Sequence, residues 1–298
     1  MIDLGALRAL IAVRDNGSVV AASESLGFTP SAVSQQIKRL ERHTRSTLLE
    51  RVGRRVILTE HGRLVAERGD RLFSDIESLE SLALSANAPV DGTIRISSFS
   101  TAGKGLIAPL LARLRNTAPA LHVTVIELDP WDALALVERG GADLAIVHNW
   151  NTVVLEIPAS LDSATLLVDR VDVLMHRDHP LARAASLTPA DLADEIWVAT
   201  PRGTICNEGL VQLFSGAGFA ANIAYYDGDF STHIALVQHG VTTAFVPRLG
   251  RELLPDEVVA VEVVDPIPTR RVQAAWRHST AANPALQHVR SELDRLIG

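Results

Sequence analysis

One stretch of the chain combines hydroxyl, amide and basic side chains on what would be a single face of a helix. Ser31, Ser34, Gln35 and Lys38 stand at helical spacing, and Arg42 extends the same face. Short hydroxyl side chains let a helix approach DNA closely, a glutamine can form two hydrogen bonds with a base edge, and basic side chains reach phosphates. The pattern is typical of a helix that reads DNA, although a solvated amphipathic helix is the alternative for an isolated polar face.

The distribution of charge favours a nucleic-acid partner, despite a net charge of −7 for the chain of 298 residues. Residues 1–62 carry a net charge of +3, and the remainder carries −10. Within the first segment, residues 38–55 hold seven of the nine basic side chains and only two acidic ones. Phosphate contact requires such a local excess of positive charge, because neutralised phosphates release condensed counterions.

Two predicted helices precede the polar face. The first is indicated by apolar residues at helical spacing, and it ends near Gly17; these residues are Leu4, Leu7, Leu10 and Ile11. Ser18 is a suitable N-cap for a second, short helix, which ends at Gly27. The middle of this second helix consists of small residues, so we expect a third helix to cross it closely.

The third predicted helix carries the polar face. Thr29 supplies an N-cap hydroxyl, and Pro30 occupies the first turn, where its missing N–H has no cost. The helix is expected to run to about His43, and its inward-facing residues are Val33, Ile37 and Leu40. Because this apolar side packs inward, the polar side stays free for a ligand.

A basic turn follows the third helix. Residues 48–59 predict two short strands around Gly53, with Arg51, Arg54 and Arg55 beside the turn. A hairpin of this kind fits the wing of a winged helix-turn-helix, in which the arginines would contact phosphates. The wing favours the DNA-reading interpretation of the polar face over the solvated helix.

This segment resembles the LysR-type transcriptional regulators. The resemblance rests on Gly17-Ser18, Ala21-Ala22, Leu26, Thr29 to Ile37, Leu40-Glu41, Leu48 to Arg51, Gly53 to Arg55 and Leu58 to Gly62. It implies a transcription regulator that binds double-stranded operator DNA. The candidate DNA-contacting residues are Ser18, Thr29, Pro30, Ser31, Ser34, Gln35, Lys38, Arg51, Arg54 and Arg55.

The chain departs from the usual pattern of that family at two places. Thr44-Arg45 stands where Leu-Gly is common, and Leu49 replaces a common phenylalanine. The missing glycine bears on where the third helix ends and on the angle at which the wing begins. Arg45 is also an additional candidate for a phosphate contact.

A long helix is predicted to follow the wing, because residues 59–86 contain no proline. Apolar residues within it form a heptad-like seam, namely Val65, Leu72, Ile76, Leu79, Ala83 and Ala86. Packing on its own domain is the alternative, but the resemblance implies a linker helix through which two chains dimerise. We expect residues 1–62 to form the DNA-binding domain, residues 63–91 to form the linker and hinge, and the protein to be a homodimer or homotetramer.

Strand and helix patterns alternate after residue 92. Strands are predicted near residues 93–97, 123–126 and 143–147, with helices at 105–114 and 131–139. This βαβαβ series indicates an α/β domain with a mostly parallel sheet. Further strands indicate a second lobe, near residues 166–175, 196–199, 222–226, 242–246 and 258–263, and a last strand and helix are predicted at 272–276 and 284–296.

The resemblance covers this half through shorter matches, at residues 106–111, 140–146, 178–182 and 236–241. It implies a two-lobed effector-binding domain like that of the periplasmic binding proteins, over residues 92–298. Lobe one is expected at 92–166 and 266–298, and lobe two at 167–265. The last strand and helix would return to lobe one.

Two hydroxyl-rich loops, residues 97–101 and 200–204, are candidates for a ligand site. Ligands of open α/β sheets bind beyond the carboxyl ends of strands, where helix N-termini offer free N–H groups. Helix capping alone would also explain these side chains. The candidate effector-binding residues are Ser98, Ser100, Thr101, His148, Thr200, Arg202, Thr204 and Phe230. A small carboxylate fits the hydroxyls and Arg202. An amino acid fits equally well, because Asp129, Asp227 or Asp229 could hold its amino group.

The sequence holds no motif for catalysis, for a cofactor or for a metal. A phosphate-binding loop, a nucleophile elbow and a His-Glu-x-x-His site are missing, and His176 and His179 precede Pro180 in a polar loop. The single cysteine, Cys206, excludes an internal disulfide switch. We therefore expect no enzyme and no cofactor. The rival hypothesis is a cytoplasmic small-molecule-binding protein or enzyme that uses only the two-lobed domain, which leaves the head unexplained.

Targeting and partners follow from the same reasoning. No apolar run approaches the roughly 20 residues that span a bilayer, and the chain opens without a signal segment. We expect a cytoplasmic protein that contacts no membrane. Its expected partners are operator DNA, a small-molecule effector, further copies of the chain and RNA polymerase.

Overall fold

The computed structural model describes residues 1–52, 55–83 and 90–298. Its contacts divide the chain into two compact units, Met1–Glu80 and Ser81–Gly298. Arg54 and Ala86, which the sequence assigns to the wing and to the linker seam, lie outside the described residues, as does the side chain of Arg55. Each unit has a hydrophobic core of its own.

The first unit begins with three helices that agree with the prediction. α1 covers Leu4–Asn16, α2 covers Val19–Leu26 and α3 covers Pro30–Thr44. Ser18 and Thr29 are N-caps as expected, because the hydroxyl oxygen of each accepts a hydrogen bond from the backbone N–H three residues later. The caps fix where α2 and α3 start, and hence which side of α3 faces outward.

The wing is a two-stranded antiparallel hairpin of β1 (Leu49–Val52) and β2 (Arg55–Leu58). Leu48 at its base is fully buried in the core that the three helices share. The chain passes closely behind it at Gly62, where an added Cβ would lie 2.2 Å from the carbonyl oxygen of Leu48. Glycine is therefore required at this position by space.

The helix after the wing, α4, covers Glu60–Ala83 and packs its first half on α1. Ala66 is fully buried, and a Cβ at Gly69 would lie 2.9 Å from a methyl carbon of Leu7. Arg14 of α1 forms an ion pair with Asp70 of α4. These contacts explain why α4 belongs to the first unit as far as Glu80.

The residues of the expected seam of α4 fall into two groups, one packed on the first unit and one exposed. Val65 is half-buried against the core of the first unit, because this side of the helix covers α1. Farther along, Leu72, Leu79 and Leu82 are exposed, the last two by 68% and 70%. An apolar stripe is therefore left open on the second half of the described helix.

The second unit is built on one large sheet. Its strands are β3 (Gly92–Ser98), β4 (Leu121–Glu127), β5 (Leu144–Trp150), β6 (Leu161–His176), β7 (Ile196–Ala199), β8 (Asn222–Tyr226), β9 (Thr243–Pro247), β10 (Val258–Val261) and β11 (Thr269–Arg277). Over the described residues the sheet has nine strands in the order β4-β3-β5-β11-β6-β9-β7-β8, and β10 pairs with β6.

Two parallel groups of strands form two lobes. β4, β3 and β5 are parallel in lobe one, and β8, β7 and β9 are parallel in lobe two. β6 and β11 connect the groups through antiparallel pairing with β5, β9 and each other. The sheet is therefore mixed rather than mostly parallel, because the two connecting strands run against their neighbours.

Helices flank the sheet: α5 (Ser100–Ala102), a π-helical segment (Gly103–Ile107), α6 (Ala108–Thr117), α7 (Pro130–Glu138), α8 (Ile205–Gly216), α9 (Phe230–Gln238) and α10 (Pro284–Ile297). α10 returns to lobe one as expected, since its Leu286 and Val289 share a core with Ile94 and Ile96 of β3. None of the helices in the described ranges is long and apolar enough to cross a membrane.

Several candidate residues of the effector site lie in regular elements. Ser100 and Thr101 already lie in α5 rather than in a loop before the helix. His148 lies inside β5, because antiparallel pairing with β11 extends that strand to Trp150. Phe230 is the first residue of α9. The differences from the predicted elements concern their ends, where contacts distant in sequence decide the backbone.

Candidate DNA-binding surface and effector site

The outward face of α3 presents the residues that the sequence selects. Ser31, Gln35 and Lys38 are exposed and Ser34 is half-buried, whereas Val33, Ile37 and Leu40 on the opposite side are buried. Thr29 and Pro30 lie at the start of the same helix. The structure therefore brings together six of the candidate DNA-contacting residues: Thr29, Pro30, Ser31, Ser34, Gln35 and Lys38.

Basic side chains surround an open depression next to this face. Gln35, Lys38, Arg39, Arg42 and Arg45 line it together with residues at the base of the wing, and its volume is about 740 Å³. Over the described ranges of the chain, none of these four cations forms a salt bridge with a carboxylate. Their charge is left to solvent or to an anionic partner.

Glu41 connects α3 to the wing. Its Oε1 atom accepts hydrogen bonds from the backbone N–H groups of Leu48, at 2.8 Å, and of Leu49, at 3.2 Å. The hydroxyl of Thr59 donates to the carbonyl of Thr47 at 2.9 Å on the other side of the hairpin. Sequence reasoning did not assign this role to Glu41, although Leu40-Glu41 is among the residues that carry the resemblance.

Arg45 adopts the left-handed conformation that the missing glycine would have adopted more easily. Its φ is 52°, and its N–H bonds to the carbonyl of Glu41, so that α3 ends at Thr44, one residue later than expected. A residue with a Cβ loses about 1 kcal/mol in this region of backbone space. The side chain of Arg45 is exposed beside the depression.

The remaining candidates of the first unit stand outside α3. Ser18 is partly exposed, and its hydroxyl oxygen is occupied by the N–H of Ala21 at 3.1 Å. Arg51 is exposed on β1. Arg54 falls outside the described residues, and Arg55 is described by its backbone alone in β2.

A buried ion pair lies at the centre of the second unit. Nη2 of Arg270 on β11 lies 2.6 Å from Oδ2 of Asp169 on β6, and the two residues are 0% and 4% exposed. Arg270 also donates to the hydroxyl of Thr101 at 3.0 Å, and its guanidinium lies 5.2 Å from the ring centre of Phe99. Nη1 of Arg270 makes no hydrogen bond to the described part of the chain.

His148 and Cys206 lie next to this pair. The Nε2 atom of His148 is 3.8 Å from Sγ of Cys206, and the edge of its ring meets Phe99 at a centroid distance of 4.5 Å. Burial, together with the charge of Arg270, holds the pKa of His148 well below its usual value. Burial raises the pKa of the Cys206 thiol. Both groups are therefore neutral at pH 7.

The second predicted loop caps α8. The hydroxyls of Thr200 and Thr204 lie 2.7 Å apart, and the hydroxyl of Thr204 accepts a long hydrogen bond from the N–H of Asn207. Arg202, in contrast, is exposed and donates to the hydroxyl of Tyr226 at 3.0 Å. The structure therefore brings Thr200 and Thr204 to the start of α8 but leaves Arg202 on the surface.

Two small cavities mark the cleft between the lobes. One, of about 10 Å³, is lined by Trp150, Thr200, Cys206 and His233. The other, of about 30 Å³, is lined by Ser100, Thr101 and Lys104. Phe230 borders both, whereas Ser98 is buried outside them. Since one water molecule needs about 10–15 Å³, each of these two cavities has room for only a few water molecules at most.

Sequence reasoning missed the two residues at the centre of this site. Asp169 and Arg270 are 101 positions apart, and no local pattern marks either of them. Only the pairing of β6 with β11 brings them together. The hydroxyl-rich residues 97–101 can be recognised in the sequence because they are consecutive.

Both parts of the chain match models of one family. The bacterial regulatory helix-turn-helix protein model of the lysR family matches residues 4–63, and the LysR substrate binding domain model matches residues 87–296. The chain belongs to the LysR family of transcription regulators. It is 33% identical over 290 residues to the small neutral protease regulatory protein of Streptomyces lividans, across 94% of this chain and 80% of that protein.

Solved structures of other LysR regulators have the same fold. A full-length OxyR variant from Pseudomonas aeruginosa is similar with a TM-score of 0.73 at 18% identity, covering 99% of this chain and 98% of that one. Full-length CbnR in complex with its target DNA is similar with a TM-score of 0.57 at 19% identity, covering 99% of both chains. LysR-type proteins are DNA-binding transcription regulators rather than enzymes. Membership of this family accounts for the helix-turn-helix head, which the rival hypothesis leaves unexplained.

Proposed function

We propose that this LysR-type regulator reads its operator through the outward face of α3. The observation that carries this proposal is the set of exposed cations around Lys38, which have no carboxylate partner in the described structure. Gln35 would read a base edge, while Ser31 and Ser34 would allow the helix to approach the groove. Lys38 would contact a phosphate.

The flanking candidates position the head on the phosphate backbone. Ser18, Thr29 and Pro30 lie at the starts of α2 and α3, where helix N-termini suit phosphate oxygens. Arg51, Arg54 and Arg55 belong to the wing and would add contacts that carry no sequence information. Arg45 would add one more on the other side of the depression.

We propose further that residues 63–91 link the DNA-binding domain to the effector-binding domain of residues 92–298 and join the chain into a homodimer or homotetramer. The exposed leucines of α4, Leu72, Leu79 and Leu82, support this role. A stripe of large apolar side chains on a helix is stabilised when a second helix covers it. Two heads held at a fixed distance would then read two half-sites of one operator.

The effector would be a small carboxylate or an amino acid that binds in the cleft between the lobes. The hydroxyl of Thr101, the unpaired Nη1 of Arg270 and the start of α8 near Thr204 support a ligand with oxygen acceptors. Such a ligand would change operator binding or promoter activation, the latter through contact with RNA polymerase. It can do so only if its affinities for two arrangements of the protein differ.

A mobility-shift assay with the DNA upstream of the protein's own gene tests the regulator function. We expect a shift at low salt that weakens steeply as salt rises, because phosphate contacts release counterions. A protein that is folded but shifts neither this DNA nor any fragment of a random genomic library would contradict the proposal. Addition of metabolites to the same assay then screens for the effector.

A further inference from the structure

The carboxylate of Asp129 connects the two lobes at the start of α8. Asp129 is the N-cap of α7, where one carboxylate oxygen accepts from the N–H of Trp131 at 3.3 Å. The other oxygen accepts from the N–H of Ile205, the first residue of α8, at 3.1 Å. A single side chain of lobe one thus serves the first turns of two helices, one in each lobe.

The position that Asp129 occupies is one that an anionic ligand would prefer. The first turn of a helix offers free N–H groups and a partial positive charge. The charge of Asp129 is countered by such backbone groups alone, since no cation of the described chain pairs with it. Burial and the neighbouring Asp132 raise the pKa of Asp129, while the two N–H groups lower it.

Unpaired polar atoms next to the start of α8 point independently to a ligand. The Nδ1 atom of His233 is buried, has no hydrogen-bond partner in the described structure and lines the same cavity as Cys206 of α8. Arg270 is fully buried with Nη1 unpaired, and its charge lowers the pKa of Cys206 from nearby. The cavity that His233 and Cys206 line has room for no more than one water molecule.

We propose that Asp129 is an internal competitor of the effector, whose own carboxylate displaces that of Asp129 from the start of α8. This inference rests on the proposed effector-binding function. Displacement breaks the hydrogen bond between Asp129 and the N–H of Ile205, so ligand binding and the arrangement of the lobes are coupled. A neutral molecule gains little at a helix N-terminus and so competes poorly with the carboxylate of Asp129. The competition therefore makes the site selective for anions.

The variant Asp129→Asn tests the competition. Asparagine is as good an N-cap as aspartate, so α7 keeps its cap while the negative charge at α8 is removed. Asp132→Asn, an exposed carboxylate in the same turn of α7, is the matched control. Acetate is the probe, titrated into the full-length proteins by calorimetry at constant ionic strength maintained with chloride. We expect Asp129→Asn to bind acetate about fivefold more tightly than the wild type and Asp132→Asn.

Hydrogen exchange locates the effect. The peptide that contains Ile205 should exchange faster in Asp129→Asn than in the wild type, and acetate should slow it again. Equal acetate affinities in the three proteins, or no acetate binding to any of them, would overturn the proposal. Operator binding is measured on the same preparations. If the wild type binds its operator while the acetate results fail, the competition is wrong and the regulator function stands, whereas loss of operator binding contradicts the regulator function itself.

Discussion

The head and the cleft hold their polar residues in opposite ways. The candidate DNA contacts of α3 lie within a few positions of one another on one face, and Ser31, Gln35 and Lys38 among them are exposed. The cleft collects Thr101, His148, Asp169 and Arg270 from separate elements into a buried cluster, in which the guanidinium is paired with a carboxylate. Exposed groups contribute mainly to binding a partner, whereas buried charges must be paired for the fold to be stable. Substitutions should therefore lower affinity in the head and stability in the cleft.

The largest effect on stability is expected from Asp169→Asn. It leaves the charge of Arg270 buried without its carboxylate, so the free energy of unfolding of the second unit should fall by about 3–5 kcal/mol. Urea denaturation measures the change. The matched control is Glu252→Gln, which breaks the exposed ion pair with Lys104 and should have little effect. Equal losses in the two variants would show that the buried pair is not what stabilises the cleft.

A steric test in the head should give the next largest effect. Gly62→Ala places a Cβ 2.2 Å from the carbonyl oxygen of Leu48, so we expect a loss of about 2–3 kcal/mol in the stability of the first unit. Gly103→Ala is the control, because a Cβ there meets nothing within 4 Å. Circular dichroism during thermal unfolding compares them. An unchanged melting temperature in Gly62→Ala would contradict the close passage of α4 behind the wing.

The smallest effect on stability is expected from Arg45→Gly, a variant in which stability and DNA affinity of the head should change in opposite directions. Arg45→Gly should stabilise the first unit by about 0.5–1 kcal/mol, because glycine adopts a φ near 52° without strain. The same variant should bind operator DNA more weakly, since it lacks a cation beside the depression. Arg45→Asn tolerates this backbone conformation and also lacks the charge, so it should lose the same affinity. If Arg45→Gly bound DNA as tightly as the wild type, Arg45 would have no contact with phosphate.

The same contrast explains what the sequence could predict. The face of α3, the caps Ser18 and Thr29 and the wing follow from residues that are close in the chain, and the structure agrees with each of them. The extent of β5 and the place of His148 depend on pairing with β11, which is more than a hundred residues away. Asp129 could be recognised as a helix cap, but its contact with Ile205 depends on how the two lobes meet.

The sequence pattern of α4 does not by itself distinguish packing on its own domain from pairing with a second chain. Its apolar residues repeat like those of a dimer seam, yet Val65 packs within the first unit, where α4 buries apolar side chains of α1. Periodicity alone identifies an amphipathic helix and does not identify which surface covers it. The exposed Leu79 and Leu82 carry the remaining argument for a second chain.

The salt dependence of operator binding tests the central claim most directly. Binding constants of the wild type, Lys38→Ala and Gln35→Ala are measured between about 50 and 300 mM salt, on the operator and on variants with single base changes. Lys38→Ala should weaken binding to all sequences and reduce the salt slope by about one, whereas Gln35→Ala should keep the slope and lose discrimination at one base pair of each half-site. If Lys38→Ala altered preference at one base pair while its slope stayed unchanged, α3 would not lie on the DNA in the way proposed.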